Sequence, residues 1–306
     1  IHNPHVNEKL RAMGVRFLSD PEESIDRIVP SDVVILPAFG VTVQLLQELD
    51  QRGCTLVDTT CGSVLNVWKN VRRYAAQGYT SVIHGKVWHE ETQATASQAV
   101  ASGGAYLVVY DDAEAAIVCD FIRRGGDPAA FMARFGRAAS AGFEPVRDLE
   151  RIGLANQTTM LMSESLAIGE MMRAAMLERW GAEALDAHYK AFDTICSATQ
   201  DRQDAVVALL RDRPIDLMIV IGGYNSSNTA NLARICAASR PTFHIADPDC
   251  LLSAVEIRHR PVGSKEEVMA TGWLPPGTVS IGLTSGASTP DNLVAAAIAK
   301  LDAFCA

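Results

Sequence analysis

The sequence predicts an α/β fold: three α/β units with parallel sheets, related by a pseudo-threefold axis about a central site. Two observations carry this expectation. First, strand-like apolar runs alternate with helical patterns along the whole chain, as in parallel sheets whose functional loops leave the carboxyl ends of the strands. Second, one tetrapeptide is used twice. Asp58-Thr59-Thr60-Cys61 closes the apolar run Thr55-Leu56-Val57, and Asp193-Thr194-Ile195-Cys196 closes Ala191-Phe192. A helical pattern starts at each cysteine. Val64, Leu65, Trp68 and Val71 share a face after Cys61; Asp201 and Asp204, then Val206, Val207, Leu209 and Leu210, follow Cys196. Each thiol therefore sits where a strand hands over to a helix. The amides and dipole of a helix N-terminus favour thiolate, the form that binds metal.

Taken in order, the loop Ile1-His2-Asn3-Pro4-His5 runs into a helical stretch through Leu10 and Met13. Residues 32–38 (DVVILPA) read as a buried strand that stops at Phe39-Gly40, and residues 43–50 as a short helix. The helix that begins at Cys61 reaches about Ala76. A strand at 80–84, a polar loop from Gly85 to Thr92, a small-residue helix at 93–101 and a strand at 106–110 follow. Residues 122–148, rich in Arg, Gly and Ala, read as a helical insertion on the surface. A strand at 151–156 ends at Gln157-Thr158-Thr159, and a long helix covers 163–179. Beyond Cys196 come a helix, a strand at 216–221 that opens into a polar loop from Gly222 to Thr229, and a strand at 242–246. Residues 250–277 read mostly as loop, 278–283 as a strand, and a last helix runs to Leu301.

The order of elements after Cys61 repeats after Cys196, which divides the chain into units at 1–60, 61–192 (carrying the insertion 122–148) and 193–306. Residues 1–60 match such a unit with its opening missing. By that logic a third cysteine, on a third helix N-terminus, is expected upstream of Ile1.

Composition narrows the function. The 306 residues are 48% hydrophobic and 21% charged, enough for a well-buried core. A formal net charge of −9 argues against nucleic acid as partner, which would call for a basic stripe. No apolar run approaches the roughly 20 residues that span a bilayer. Seven irregularly spaced cysteines make no secreted disulfide framework and fit a reduced intracellular compartment.

Three thiolates are one too few for a closed zinc or iron–sulfur site and would leave one iron of a cubane cluster open to substrate. The polar loops point to the substrate. Thr158, Thr159, Asn225, Ser226, Ser227, Asn228 and Ser288 are neutral hydrogen-bonding residues, several at helix starts, which suits a phosphate or diphosphate. His2 and His89 could add positive charge. Glu91 is the lone carboxylate among them and reads as a proton donor. Cys54, Cys119, Cys236, Cys250 and Cys305 lack the repeated setting and read as packing or surface thiols. His5, His188, His244 and His259 read as structural or exposed, and Arg123, Arg124, Arg134 and Arg137 as a solvated face.

Together these motifs resemble the 4-hydroxy-3-methylbut-2-enyl diphosphate reductase family, in the longer form of cyanobacteria and plastids. The matching segments are Ile1-His2-Asn3-Pro4, Leu36-Pro37-Ala38-Phe39-Gly40, Asp58-Thr59-Thr60-Cys61, His84-Gly85-Lys86 and His89-Glu90-Glu91-Thr92. Further along come Ala155-Asn156-Gln157-Thr158-Thr159-Met160, Thr194-Ile195-Cys196, Asn225-Ser226-Ser227-Asn228-Thr229 and Thr284-Ser285-Gly286-Ala287-Ser288-Thr289-Pro290. The resemblance implies an open-faced 4Fe–4S cluster held by Cys61, Cys196 and the third cysteine. It implies reductive removal of an allylic hydroxyl with two electrons and two protons, giving isopentenyl and dimethylallyl diphosphate. Glu91 becomes the proton donor, with Thr158 positioning the hydroxyl. His2, His89, Thr159, Ser226, Ser227, Asn228 and Ser288 fall to the diphosphate substrate.

The same resemblance implies ferredoxin or flavodoxin as electron donor, a monomer or homodimer, and the bacterial cytoplasm or plastid stroma as location. The chain departs from the family pattern at Gly62, Ser63, Asn66, Val87 and Ser197, all beside rather than at the ligand positions. Two alternatives follow: a divergent paralogue acting on another phosphorylated allylic alcohol, or a cluster-free relative that binds isoprenoid diphosphates.

Overall fold

The computed structural model describes residues 3–191 and 196–305. It contains two compact units, Leu18–Cys196 and a second made of Ile1–Phe17 with Ser197–Ala306. The chain opens in the second of these with α1 (Pro4–Ala12), whose N-cap Asn3 accepts from the Val6 amide.

The larger unit contains β1 (Val33–Leu36), α2 (Val43–Gln51), β2 (Thr55–Asp58), α3 (Gly62–Ala76), β3 (Thr80–His84), α4 (Glu90–Ala101), β4 (Tyr106–Val109) and α5 (Asp112–Arg124). It continues through α6 (Pro128–Phe135), α7 (Pro145–Asp148), β5 (Ile152–Asn156), α8 (Met162–Trp180), α9 (Leu185–His188) and β6 (Tyr189–Ala191). Its main sheet has the order β4-β3-β5-β6, with every pair parallel. β3 is buried along its whole length, so neither of its faces is left to water. Val82 packs with Leu107, Ile152, Met172 and Phe131 on one side. Ile83 packs with Val67, Val71, Ala96 and Ala99 on the other, the two-residue period of a strand.

The smaller unit adds α10 (Ser197–Asp212), β7 (Leu217–Ile221), α11 (Ser227–Ala237), β8 (Thr242–Ile245), β9 (Glu256–His259), β10 (Val268–Thr271), β11 (Ile281–Ser285) and α12 (Asp291–Cys305). Its parallel sheet runs β11-β7-β8. The run Leu217-Met218-Ile219-Val220-Ile221 is fully buried and splits between two cores. Leu217, Ile219 and Ile221 meet Ile245, Ala297 and Leu301, while Met218 and Val220 meet Val206, Leu232 and Ala233.

Parallel sheets flanked by helices are what the sequence predicts, and each parallel sheet draws its strands from one of the stretches 1–60, 61–192 and 193–306. Two local expectations need correction. Residues 32–38 are not a buried strand: Val33 and Ile35 are 63% and 61% exposed, because β1 pairs only with β2 and the described residues cover one face of that pair. Residues 250–277 are mostly loop, as expected, interrupted by the short antiparallel pair β9 and β10. Residues 122–148 are more than a surface insertion. Phe131, Phe135 and Phe143 are buried with Phe121, and the Val108 and Ser140 amides tie residues 138–140 to β4. The Arg-rich composition hid an aromatic cluster that backs the main sheet. No helix among the described residues is long and apolar enough to cross a membrane.

The aromatic cluster is open to measurement. Phe131 lies 4.9 Å from Phe121 and 4.7 Å from Phe135 between ring centroids. Phe131→Ala is expected to cost about 3–5 kcal/mol in urea unfolding. A surface insertion would lose less than about 0.5 kcal/mol.

Candidate active site

The parallel register sets His84 beside Asn156, so the loops leaving β3 and β5 start side by side. Gln157 ties them together. Its amide donates to the His84 carbonyl at 2.8 Å. Its Oε1 accepts from the Lys86 amide and the Thr92 hydroxyl, each at 3.2 Å, and its Nε2 donates to Thr159 Oγ1 at 2.8 Å. A Cβ on Gly85 would fall 2.7 Å from Thr92 Oγ1 and 3.1 Å from Gln157 Cβ, so only glycine permits this approach. Gln157 stands in the motif that carries the resemblance but has no role there; a long amide between Asn156 and Thr158 at a strand end is its signal in the sequence.

Helix α4 begins at Glu90, three residues earlier than the small-residue pattern predicts. His89 is thereby its N-cap, and its Nδ1 accepts from the Glu91 amide at 3.1 Å. That acceptor role leaves the ring proton on Nε2. The ring meets Phe39 edge-on with centroids 6.3 Å apart. Glu91 is 2% exposed, and its Oε1 accepts from the Thr158 amide at 2.6 Å. Burial pushes the carboxyl up to about 7, opposed by hydrogen bonds from the Thr158 amide and hydroxyl. A carboxyl poised there can hold and release a proton near neutral pH.

The cysteines take the positions the sequence gives them. Cys61 is the N-cap residue of α3, exposed, with no side-chain capping bond; its amide donates to the Ala38 carbonyl at 2.8 Å. Cys196 is half-buried directly ahead of α10, and its amide reaches the Thr158 carbonyl at 3.5 Å. Cys119, Cys236 and Cys250 are instead buried, and burial pushes Cys119 up to about 11 and Cys236 up to about 12. Cys119 and Cys236 stay protonated, and all three pack as small apolar groups. Among the described residues no three His, Cys, Asp or Glu side chains converge as a metal site.

The larger unit thus gathers Glu91, Thr158, Thr159, His89 and Cys196 into one bonded neighbourhood, with Cys61 joined through the 38–39 turn. Ser226, Ser227, Asn228 and Ser288 belong to the smaller unit, and His2, Asp193, Thr194 and Ile195 lie outside the described residues. In the smaller unit Ser226 caps α11 by accepting from the Thr229 amide at 3.3 Å. Ser226, Ser227, Asn228 and Thr229 are all buried. Yet Asn228 Nδ2 and Oδ1, Thr229 Oγ1 and Ser288 Oγ have no hydrogen-bond partner among the described residues. Buried polar atoms left unpaired cost about 1–3 kcal/mol each, a cost borne by this group. Two residues without a predicted role hold it in place. The Asn3 side-chain amide donates to the Ser288 carbonyl at 3.2 Å. Thr229 packs so tightly on the β11 loop that a Cβ on Gly286 would lie 2.0 Å from its hydroxyl.

The larger unit sets a buried acid and thiols at helix starts beside the carboxyl ends of its parallel strands, and the smaller unit sets unpaired polar atoms beside those of its own; each has the layout of an α/β enzyme whose polar groups gather at strand ends. The comparisons place the chain more closely. Residues 1–302 match the family model described as LytB protein, and the chain belongs to that family. It is 51% identical to the 4-hydroxy-3-methylbut-2-enyl diphosphate reductase of Gloeobacter violaceus, over 98% of this chain and 73% of the relative's. The enzyme of the same name from Synechococcus sp. CC9902 is 52% identical, over 98% and 75%. Among solved structures, an (E)-4-hydroxy-3-methyl-but-2-enyl diphosphate reductase, the terminal enzyme of the non-mevalonate pathway, superposes with TM-score 0.55 at 25% identity, covering 99% of this chain and 85% of that one. A Plasmodium falciparum E-1-hydroxy-2-methyl-but-2-enyl-4-diphosphate reductase shares the fold, with TM-score 0.69 at 19% identity over 98% and 75%.

The raised Glu91 carboxyl has a consequence for stability. Both states are protonated below the unfolded value of about 4.3, and between there and about 7 the unfolded state gives up its proton first. This group therefore removes stability as pH rises through that window. Glu91→Gln is expected to shift the stability difference in the variant's favour by about 3 kcal/mol between pH 4 and pH 8. Parallel pH–stability curves for variant and wild type would refute the burial argument.

Proposed function

We propose that this chain reduces (E)-4-hydroxy-3-methylbut-2-enyl diphosphate to isopentenyl and dimethylallyl diphosphate, the last step of the methylerythritol phosphate route. In this reaction the allylic C–O bond breaks, two electrons enter, one proton leaves with the hydroxyl as water and the other ends on carbon. The observation that carries the reading is the buried Glu91 carboxyl, pushed up to about 7 and hydrogen-bonded to Thr158. Glu91 in its protonated form donates to the departing hydroxyl, and the Thr158 hydroxyl orients that group. The Thr158 amide meanwhile holds Glu91 Oε1, so the acid is aimed by backbone rather than by a mobile side chain. His89, with its ring proton on Nε2, donates to the diphosphate. Thr159, Ser226, Ser227, Asn228 and Ser288 supply neutral hydrogen bonds to the same group, and His2 adds to them.

Two features support a 4Fe–4S cluster as cofactor: two thiols at the starts of helices, and their contrast with the buried Cys119, Cys236 and Cys250. Cys61 and Cys196 would hold it. When bound it supplies the electrons, received singly from ferredoxin or flavodoxin, and an open iron for the hydroxyl. The three-unit division at 1–60, 61–192 and 193–306 belongs to the same proposal; it is supported by the assignment of one parallel sheet to each stretch. The cyanobacterial relatives favour the bacterial cytoplasm or a plastid stroma as the place of reaction.

Glu91→Gln is expected to keep substrate affinity and lose turnover by about 10²–10⁴-fold; normal turnover would remove Glu91 from the acid role. Asn228→Ala should raise KM about tenfold, the value of one buried hydrogen bond to a charged group, with kcat little changed. Anaerobic reconstitution of the full-length protein with iron and sulfide should give a brown iron–thiolate chromophore that Cys61→Ser and Cys196→Ser each weaken. A colourless product would overturn the cluster assignment.

A further inference from the structure

The loop from Gly222 to Ser226, which delivers the N-terminus of α11, is held by a cluster with no part in the chemistry above. Arg260 follows directly on β9. Its backbone amide donates to the His244 carbonyl at 2.9 Å, which anchors the residue to β8. Its guanidinium Nη2 donates to the Tyr224 carbonyl, while its Cζ lies 4.5 Å from the centroid of the Tyr224 ring. The ring is fixed from two further directions. It meets His244 edge-on at 4.9 Å, and its hydroxyl donates to Glu267 Oε1 at 2.7 Å. Glu267 in turn lies 3.7 Å from Arg258 Nε. Closer to β7, His244 Nε2 donates to the Gly222 carbonyl at 2.9 Å. Burial pushes His244 down to about 4, so it makes that bond as a neutral ring at neutral pH.

Two carbonyls of one short loop, Gly222 and Tyr224, are thus engaged from β8 and β9. Because each peptide unit is planar, fixing its carbonyl fixes the direction of the following amide as well. Ser226 is only two residues past Tyr224, and Asn228 two further. We infer that Arg260 is a positioning residue for anion binding, acting through Tyr224 to fix the loop that presents Ser226 and Asn228. The role calls for arginine. One planar guanidinium bonds the Tyr224 carbonyl and lies over the ring of the same residue, which an ammonium cannot do together. The inference rests on the reading of Ser226 and Asn228 as diphosphate ligands.

Pyrophosphate binding to the full-length protein, followed by titration calorimetry, tests it without depending on turnover. Arg260→Lys and Tyr224→Leu are each expected to weaken pyrophosphate binding about tenfold. The double variant should be no weaker than either single one, since both break one brace. Tyr224→Phe, which keeps ring and carbonyl, should stay within about twofold of wild type. In steady-state turnover Arg260→Lys should raise KM about tenfold with kcat within twofold, a split that general loss of folded protein would not produce. Wild-type affinity in Arg260→Lys, or strictly additive losses in the double variant, would overturn this inference alone. A wild-type protein that does not bind pyrophosphate would remove the diphosphate reading, and this inference with it.

Discussion

The hydrogen bond from the Thr158 amide to Glu91 sits at the meeting point of two opposed forces. Burial of the carboxyl favours its neutral form, and the short amide contact favours its charged form. Burial wins, and the margin leaves the group titrating close to neutrality rather than locked in either state. Much of the larger unit's strand-end structure serves that balance. The pairing of β3 with β5 brings the two loops together, and Gln157 bonds three of their segments to one amide. The early start of α4 buries Glu91 and makes His89 its cap. Loosening any of these admits water, and water would return the carboxyl to its ordinary range.

The smaller unit handles charge in another way. Among the described residues no buried carboxylate, lysine or arginine stands with Ser226, Ser227, Asn228 and Ser288. Instead Asn228, Thr229 and Ser288 carry enclosed neutral polar atoms with no hydrogen-bond partner among the described residues. Such groups are expensive when empty and return that cost when a multiply charged anion accepts and orders them. Their positions therefore depend on backbone supports. Asn3 holds Ser288, Thr229 closes on the β11 loop, and Arg260 with His244 holds the loop before Ser226.

Much of this was legible beforehand. The fully buried run in β7 and the alternation of strands with helices follow from local apolar patterning, which a parallel sheet requires on both faces. The two Asp-Thr-x-Cys segments announced helix starts, and helices start beside both cysteines. The failures have physical causes. Val33-Val34-Ile35-Leu36 is as apolar as a core strand, yet exposure depends on what covers a strand, and nothing local encodes that. Phe131 and Phe135 stand four apart on α6, but one such pair among Arg, Gly and Ala, with Phe143 beyond the helix, is too short a pattern to announce a core.

The sequence by itself determined the kinds of groups available and their order along the chain. Thiols stand before helices, hydroxyls and amides in strand-end loops, and one acid stands at 91. It could not decide what Glu91 is, because a carboxylate at a helix start and a neutral buried acid are written with the same letter. That was settled by tertiary structure, which removed water from around Glu91 and set Thr158 against it from the loop after β5, 67 positions away. In the same way Asn228, Thr229 and Ser288 are ordinary polar residues in the sequence; packing encloses their polar atoms and leaves them unmatched among the described residues. Residue type fixes what a group can do; the solvation that folding takes away decides which of those things it does.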